Sequence, residues 1–339
     1  MDGSAVQENE AVQYCYNSGN VSCIKETRST SVSVILYVLA AVAVMLTFCG
    51  NLVVIISISH FKQLHTPTNI LVLSLATADF LVGVLIMPFM VIQSIETCWY
   101  FGNEFCVIYS VFLCLLTETS IINLVIIAVD RYIAICNPLL YSSKVTVRVA
   151  SVCVAIVWVL NFSYGCGIIF CGGNTEGVIG IDPCPGDCLL VLSSSWGTAD
   201  LVLSFILPVS IMVTLYSKIF IVARRHARAI SSQQSTLVDR AKLSKKSERK
   251  AAKTLGIVVA VFILCWLPFY TCTLLNQFID FSIPSVVSCA FLWLAYINSS
   301  LNPIIYALFY PWFQRSLKLM ITFKICNSGS SIFKLLPEN

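Results

Sequence analysis

Seven long apolar stretches, separated by polar segments, run along the chain. Each is at least about 20 residues long, the length that an α-helix needs to cross the hydrocarbon core of a bilayer. We number them spans 1 to 7, and they cover residues 33–59, 68–93, 105–129, 150–171, 189–217, 254–275 and 285–309. The pattern predicts an all-α membrane protein, a seven-transmembrane helix bundle with its termini on opposite sides.

Composition supports a lipid setting, because 58% of the residues are apolar and 11% are charged, with a mean hydropathy of +0.85. The histidines His60, His65 and His226 lie in polar segments and lack the paired spacing of a metalloenzyme site. The sequence has no internal repeat of the kind found in many transporters. We therefore expect neither an enzyme nor a transporter, and no nucleic-acid partner.

The positions of lysine and arginine predict the orientation. Only Lys25 and Arg28 precede span 1, the segments after spans 2, 4 and 6 contain none, and the other nineteen follow spans 1, 3, 5 and 7. Basic residues stay on the cytoplasmic side, so the N-terminus is predicted to be outside. The predicted organisation is an extracellular N-terminus over 1–32, the bundle over 33–310, and an amphipathic cytoplasmic helix 8 with a tail over 311–339.

One long cytoplasmic insert, residues 218–253, contains eleven basic residues against Asp239 and Glu248. We expect it to form a cytoplasmic loop with helical extensions that binds a protein partner. A basic segment beside the membrane also attracts anionic lipid, and both roles can hold at once.

Cysteines on the predicted outer side are candidates for disulfides, which form in oxidising compartments. Cys106 opens span 3 and Cys188 precedes span 5, so a bridge between them would fix the second outer loop across the mouth of the bundle. Cys184 would then pair with Cys15 or Cys23 of the N-terminal segment.

Two further modifications are expected from local sequence. Asn20-Val21-Ser22 is an N-glycosylation acceptor on the outer side. Cys326 follows an amphipathic cytoplasmic stretch and is a candidate for palmitoylation.

Three carboxylates lie inside predicted spans: Asp79, Glu118 and Asp200. A charge in hydrocarbon costs at least ~2.5–3.5 kcal/mol, so each is a candidate functional residue. No lysine or arginine lies at a comparable depth. A proton, a metal cation or an organic cation must therefore compensate them.

Asp200 lies about two turns into span 5, with Trp196 and Ser204 on the same helical stripe. Its carboxylate could hold an ammonium group by a charge-assisted hydrogen bond, and aromatic faces would add cation–π attraction. The structural alternative is a protonated aspartate bonded to a helix neighbour. The expected aromatic contributors are Trp266, Phe269, Tyr270, Trp293 and Tyr296.

Glu118 is rotated by ~100° from Thr117 and its stripe, which also includes Leu113, so it is predicted to point toward spans 4 and 5. If Glu118 lies beside Asp200, the two ionised carboxylates repel each other. A second ammonium group on the ligand, or a single proton on one of the carboxylates, would remove this repulsion. The first outcome makes Glu118 a ligand residue, and the second makes it structural.

Asp79 lies at mid-depth in span 2 and is expected to work as a switch element. Oxygen-bearing side chains could complete a cage around it for a sodium ion or a proton. These side chains are Ser120, Asn298, Ser299 and Asn302.

Three motifs resemble those of rhodopsin-like G-protein-coupled receptors: Asp130-Arg131-Tyr132 after span 3, Cys265-Trp266-Leu267-Pro268 in span 6 and Asn302-Pro303-Ile304-Ile305-Tyr306 in span 7. The resemblance covers all seven spans and implies a plasma-membrane receptor. It implies that Arg131 pairs with Asp130 and Glu248 in the silent state. Agonist then opens the bundle, and Arg131 and Tyr216 become available to a G protein.

A finer resemblance, to trace amine-associated receptors, rests on Asn298-Ser299, Asn302-Pro303, Tyr306, Tyr310, Trp312 and Phe313. It implies olfactory sensing of mono- or diamines, activation of the stimulatory G protein, a rise in cyclic AMP and binding of arrestin. It also implies a Cys106–Cys188 bridge and a second bridge from the N-terminal segment to Cys184, through Cys15.

One position departs from the usual aminergic pattern. Eighteen residues before Arg131, where aminergic receptors generally have an aspartate, this chain has Leu113. Asp200 takes the place that resembles the alternative anchor of a fish-rich branch, so we expect an aquatic source and an inverted ligand pose. The alternative is a receptor for a non-amine or peptide ligand, in which Asp200 is structural.

Overall fold

The computed structural model describes residues 13–16, 22–26, 28–170, 186–188, 192, 194–232, 239–278, 283–327, 329–333 and 335. Its long helices are α1 (Thr30–His60), α2 (Pro67–Glu96), α3 (Gly102–Cys136), α4 (Val147–Phe170), α5 (194–232), α6 (Asp239–Phe278), α7 (Ser285–Phe309) and α8 (Pro311–Ile321). A short helix, Pro138–Lys144, connects α3 to α4. The predicted seven-helix bundle and the cytoplasmic helix 8 are both present.

Within the described residues, α1 to α6 each contain a segment long and apolar enough to cross a membrane. The seventh helix, α7, is less apolar because Asn298, Ser299 and Asn302 interrupt its inner half. It nevertheless packs along α1 and α6. These polar residues are buried in the bundle, where Ser299 and Asn302 donate hydrogen bonds to Asp79 of α2, so α7 belongs to the bundle despite its lower hydropathy.

Two helices contain a π-helical turn directly before a proline. In α2 the turn is Val82–Ile86, just ahead of Pro88, and in α5 it is Leu201–Ile206, just ahead of Pro208. Proline cannot donate the backbone hydrogen bond that an α-helix needs, so the preceding turn widens. The α5 turn begins immediately after Asp200 and changes which residues share its face.

The inner halves of α1 and α7 approach closely. A Cβ atom on Gly50 would lie 2.7 Å from the Pro303 side chain, so only glycine fits at this crossing. The Asn51 amide donates to the Ser299 carbonyl at 3.0 Å. This contact holds the polar part of α7 against the bundle.

At the outer end, Cys106 is bridged to Cys188, as expected. Cys15 is bridged to Cys98, so the expectation that Cys15 joins Cys184 is wrong. The two cysteines meet because an N-terminal hairpin lies against the α2–α3 loop, where the Trp99 carbonyl accepts from the Tyr16 hydroxyl at 2.8 Å. Cys184 and the glycosylation acceptor Asn20 lie outside the described residues.

Cys23 is also disulfide-bonded. Nearby, Lys25 forms an ion pair with Glu96 at 2.9 Å, and the hydrogen bond that it donates there raises the pKa of Lys25. The N-terminal hairpin is thus held to the outer end of α2 by a covalent bond and by charge.

Candidate functional site

Asp200 lies where α5 meets α4. Its Oδ1 accepts two hydrogen bonds, from the Tyr164 hydroxyl of α4 at 3.0 Å and from the Ser204 hydroxyl of α5 at 3.2 Å. Both donors are neutral, so they orient the carboxylate without cancelling a negative charge. The Ser204 bond is the contact to a helix neighbour that the structural alternative requires, so the geometry accommodates both interpretations of Asp200.

Glu118 lies on α3 opposite Asp200 and is 8% exposed. Its carboxyl group lies beside the same Ser204 hydroxyl, which is the direction that the helical phase predicts. Two carboxylates this close repel each other when both are ionised. The pair therefore needs a shared proton or a cation.

No described basic side chain supplies that cation. The ion pairs found in the described part of the chain are Lys25–Glu96, Arg28–Glu26 and Arg131–Asp130. The carboxylates of Asp79, Glu118 and Asp200 take part in none of them. A cation that compensates Glu118 and Asp200 would therefore come from outside the described basic side chains, and the alternative is a shared proton.

An aromatic cluster lines the inner side of this region. The Phe205 and Tyr270 rings stack with centroids 4.4 Å apart, and Trp266 lies 5.8 Å from Tyr270 and 6.1 Å from Tyr296. Phe269 joins the cluster through Tyr270. Tyr270 is buried and also lies near the two carboxylates. The cluster thus joins the acidic pair to the tryptophan of the α6 bend.

Four other expected ligand residues make contacts in further parts of the bundle. Trp293 donates to the Ser94 hydroxyl of α2 at 3.0 Å and packs toward α1. Trp196 packs against an apolar cluster of α3 and α4, and Leu113 belongs to the cluster around Tyr296. Thr117 contacts the Tyr296 hydroxyl on that side. The structure therefore brings Glu118, Ser204 and Tyr270 to Asp200. Trp196 packs in the cluster that also contains Tyr164, the hydrogen-bond partner of Asp200, whereas Trp293 lies toward α1 and α2.

Tyr164 is a site residue that the sequence analysis missed. It lies three residues after Asn161, so the two polar side chains share one face of an otherwise apolar helix. Asn161 donates to Thr119 of α3 at 3.2 Å. The three-residue spacing of Asn161 and Tyr164 is the sequence feature that indicates Tyr164, because polar residues that share one face of a membrane helix usually face the bundle.

Asp79 is fully buried, and three donors of the predicted cage surround it. Its Oδ1 accepts from Ser299 at 2.8 Å and from Ser120 at 3.1 Å, and its Oδ2 accepts from the Asn302 amide at 2.8 Å. The Oδ1 atoms of Asn298 and Asn302 are buried acceptors without a hydrogen-bond partner in the described residues. Such oxygens fit a hard cation, because they leave acceptor capacity that no protein donor uses.

At the cytoplasmic end, Arg131 is bound to its neighbour Asp130. The guanidinium donates to Asp130 Oδ2 from Nη2 at 2.5 Å and from Nε at 2.9 Å. Thr68 of α2 donates to the same oxygen at 2.8 Å, and Arg131 also contacts Thr68 and the Tyr141 hydroxyl. The expected Arg131–Asp130 pair is present, and Thr68 and Tyr141 extend it to neighbouring segments.

The other switch residues surround this pair. A cytoplasmic cavity of about 160 Å³ is bounded by Arg131, Tyr306 and Tyr310. The Tyr216 and Tyr306 hydroxyls are buried without a hydrogen-bond partner in the described part of the bundle, and the Tyr132 ring lies 6.0 Å from the Lys218 ammonium. The Glu248 side chain lies outside the described residues, so its pairing with Arg131 stays a prediction.

Comparison with known proteins identifies the family. The model described as 7 transmembrane receptor (rhodopsin family) matches residues 50–306. Trace amine-associated receptor 13c of Danio rerio is 47% identical over 339 residues, which cover 99% of this chain and 99% of that protein. Trace amine-associated receptor 4 of Mus musculus is 44% identical over 336 residues, which cover 97% of this chain and 96% of that protein. The chain therefore belongs to the trace amine-associated receptors of the rhodopsin family, and it is a multi-pass plasma-membrane receptor and not an enzyme.

Proposed function

We propose that this receptor binds the protonated nitrogen of a small amine at Asp200, between α3, α4 and α5. Binding activates the stimulatory G protein and raises cyclic AMP, and the receptor serves as an olfactory amine sensor of the fish-type branch. The supporting observation is the pair of Glu118 and Asp200, which lies against one serine with no described basic side chain to neutralise it. The relatives named above carry trace amines in their names, which favours the same ligand class.

The route from ligand to G protein runs through the aromatic cluster. An amine held at Asp200 lies near Tyr270, which contacts Trp266, two residues before Pro268 in α6. An agonist that binds the open state more tightly than the closed state shifts the equilibrium at the Pro268 bend toward the open state. The ratio of the two affinities sets the size of this shift. Opening would release Arg131 from Asp130 at the cytoplasmic cavity, where a G protein docks and arrestin follows.

The central experiment replaces Asp200 with asparagine, which keeps the shape and removes the charge. In cells that express the receptor, Asp200→Asn should lower the potency of primary amines in a cyclic AMP assay by at least about 100-fold, because a partly buried charge-assisted bond is lost. Surface expression is measured in parallel. Glu104→Gln is the matched control, since Glu104 is an exposed carboxylate at the outer end of α3.

An unchanged amine dose response in Asp200→Asn would refute the proposed anchor. The second candidate is a receptor for a non-amine or peptide ligand, favoured by the Ser204 bond that already satisfies Asp200 Oδ1. It predicts that an amine and its neutral N-acetyl derivative act with similar potency. The amine proposal predicts that acetylation abolishes the response.

We further propose that Asp79 holds a sodium ion in the silent receptor, with oxygen ligands from Ser120, Asn298, Ser299 and Asn302. The two buried amide oxygens without partners support this. Replacing N-methylglucamine with sodium in the buffer should then weaken agonist binding, and Asp79→Asn should remove the dependence. Equal sodium dependence in the variant would show that no ion acts at this site.

A further inference from the structure

The chain after α8 folds back toward the first cytoplasmic loop. Left-handed backbone at Phe323 (φ 54°) and Gly329 (φ 85°) reverses its direction. The Ser330 hydroxyl then lies 2.9 Å from His60 Nε2 at the end of α1, and it donates to the Ile325 carbonyl at 2.5 Å. Ser330 is 3% exposed, so its hydroxyl is a buried attachment point.

A second attachment lies five residues further on. The Leu335 amide donates to Gln63 Oε1 at 2.9 Å, and the Leu335 carbonyl accepts from Arg315 of α8 at 2.9 Å. The Leu335 side chain is 1% exposed and belongs to the main hydrophobic core together with Phe61 and Trp312. Residues 329–333 and Leu335, which we name the return segment, are therefore docked at both ends.

Between these anchors the return segment presents apolar side chains outward. Ile332 is 72% exposed and Phe333 is 46% exposed. The turn Ser330–Ile332 packs against the turn Lys324–Cys326, and just before that turn Ile321 is 68% and Phe323 is 78% exposed. Leaving four such side chains in water would be costly, because apolar surface is driven out of contact with water.

Basic residues accompany this apolar surface. Lys62 of the first cytoplasmic loop, Lys318 of α8 and Lys324 are all exposed. Apolar side chains flanked by lysines are typical of a surface that lies on an anionic leaflet. The free Cys326 thiol is exposed on the same stretch.

We propose that the docked return segment is a second membrane anchor, in which Ile332 and Phe333 enter the cytoplasmic leaflet beside Ile321 and Phe323. The occupant is lipid because the segment is tied to His60, where α1 ends, and α1 exposes large apolar side chains along its length. The apolar surface of the return segment thus continues the lipid-facing surface of the bundle. The inward Ser330 and Leu335 contacts fix which side chains face the leaflet.

Photo-crosslinking tests this anchor in the intact receptor. A diazirine-bearing residue is placed at Ile332 or, as the matched control, at the neighbouring half-buried Ser331, in nanodiscs of phosphatidylcholine with phosphatidylserine. Position 332 should yield at least about fivefold more lipid adduct than position 331, as expected for a side chain that inserts into the leaflet. Adducts confined to water or to the receptor's own chain at position 332 would overturn the proposal.

Leu335→Ala tests whether docking presents the segment. The variant keeps Ile332 and Phe333 but removes the buried side chain at the second anchor, so the lipid adduct at position 332 should fall toward that at position 331. The fold of the remainder is monitored by the Cys106–Cys188 bridge and by surface expression. An unchanged lipid adduct in Leu335→Ala would overturn the role of docking.

Discussion

Two acidic sites at opposite ends of the bundle differ in how the negative charge of their carboxylates is compensated. At the cytoplasmic end, Asp130 is paired with Arg131, its neighbour in the chain, at 2.5 Å. At the outer end, Asp200 and Glu118 have hydroxyl groups beside them and no described basic partner. The inner site carries its own cation, whereas the outer site needs a shared proton or a cation that the described basic side chains do not supply.

The difference indicates how signal could enter and leave. A site that lacks a cation responds to the arrival of one, which suits detection of an ammonium group. A site with an internal ion pair changes when that pair opens, which suits output to a partner. Single substitutions at the inner site and at the outer site test this difference.

The largest effect is expected at the inner site. Arg131→Ala removes the cation of the pair, so the cyclic AMP response should be nearly abolished, while amine binding changes by less than about threefold because the two sites are coupled only through the bundle. Arg148→Ala is the control, since Arg148 is an exposed cytoplasmic arginine. Full signalling by Arg131→Ala would remove Arg131 from the output step.

Glu118→Gln sharpens the comparison at the outer site. If Glu118 receives a second ammonium group, the variant should lose about tenfold in potency for diamines, or about 1.4 kcal/mol, and less than about threefold for monoamines. Dose responses to a matched diamine and monoamine of equal chain length measure this difference. Equal losses for both ligands would return Glu118 to a structural role.

Tyr164→Phe should have the smallest effect. It removes one hydrogen bond to the Asp200 carboxylate, so amine potency should fall by about fivefold, or about 1 kcal/mol. In an Asp200→Asn background the same change should matter little, because the charge that Tyr164 orients is gone. Additive losses in this double-mutant cycle would mean that Tyr164 acts independently of Asp200.

The fold was predictable because membrane spans follow from runs of apolar residues and from the placement of lysine and arginine. Even α7, whose polar residues lower its hydropathy, is predicted from the sequence over the same 25 residues that form the helix in the structure. The placement of Glu118 beside α5 followed from helical phase alone. The role of each residue in binding stays a prediction.

Other features depend on tertiary structure that one sequence does not encode locally. Disulfide connectivity is not deducible from spacing, and the N-terminal hairpin brings Cys15 to Cys98. The π-helical turn begins directly after Asp200 and rotates the later residues of α5 relative to it, which a regular helical repeat does not predict. The Tyr164 bond required the relative rotation of α4 and α5, which periodicity in either helix does not fix.

The most direct test of the amine site is an experimental structure of the receptor with a bound primary amine. The proposal predicts the amine nitrogen within about 3 Å of an Asp200 carboxylate oxygen, the distance of a charge-assisted hydrogen bond. A nitrogen bound near Leu113 and α7, away from Asp200, would contradict it.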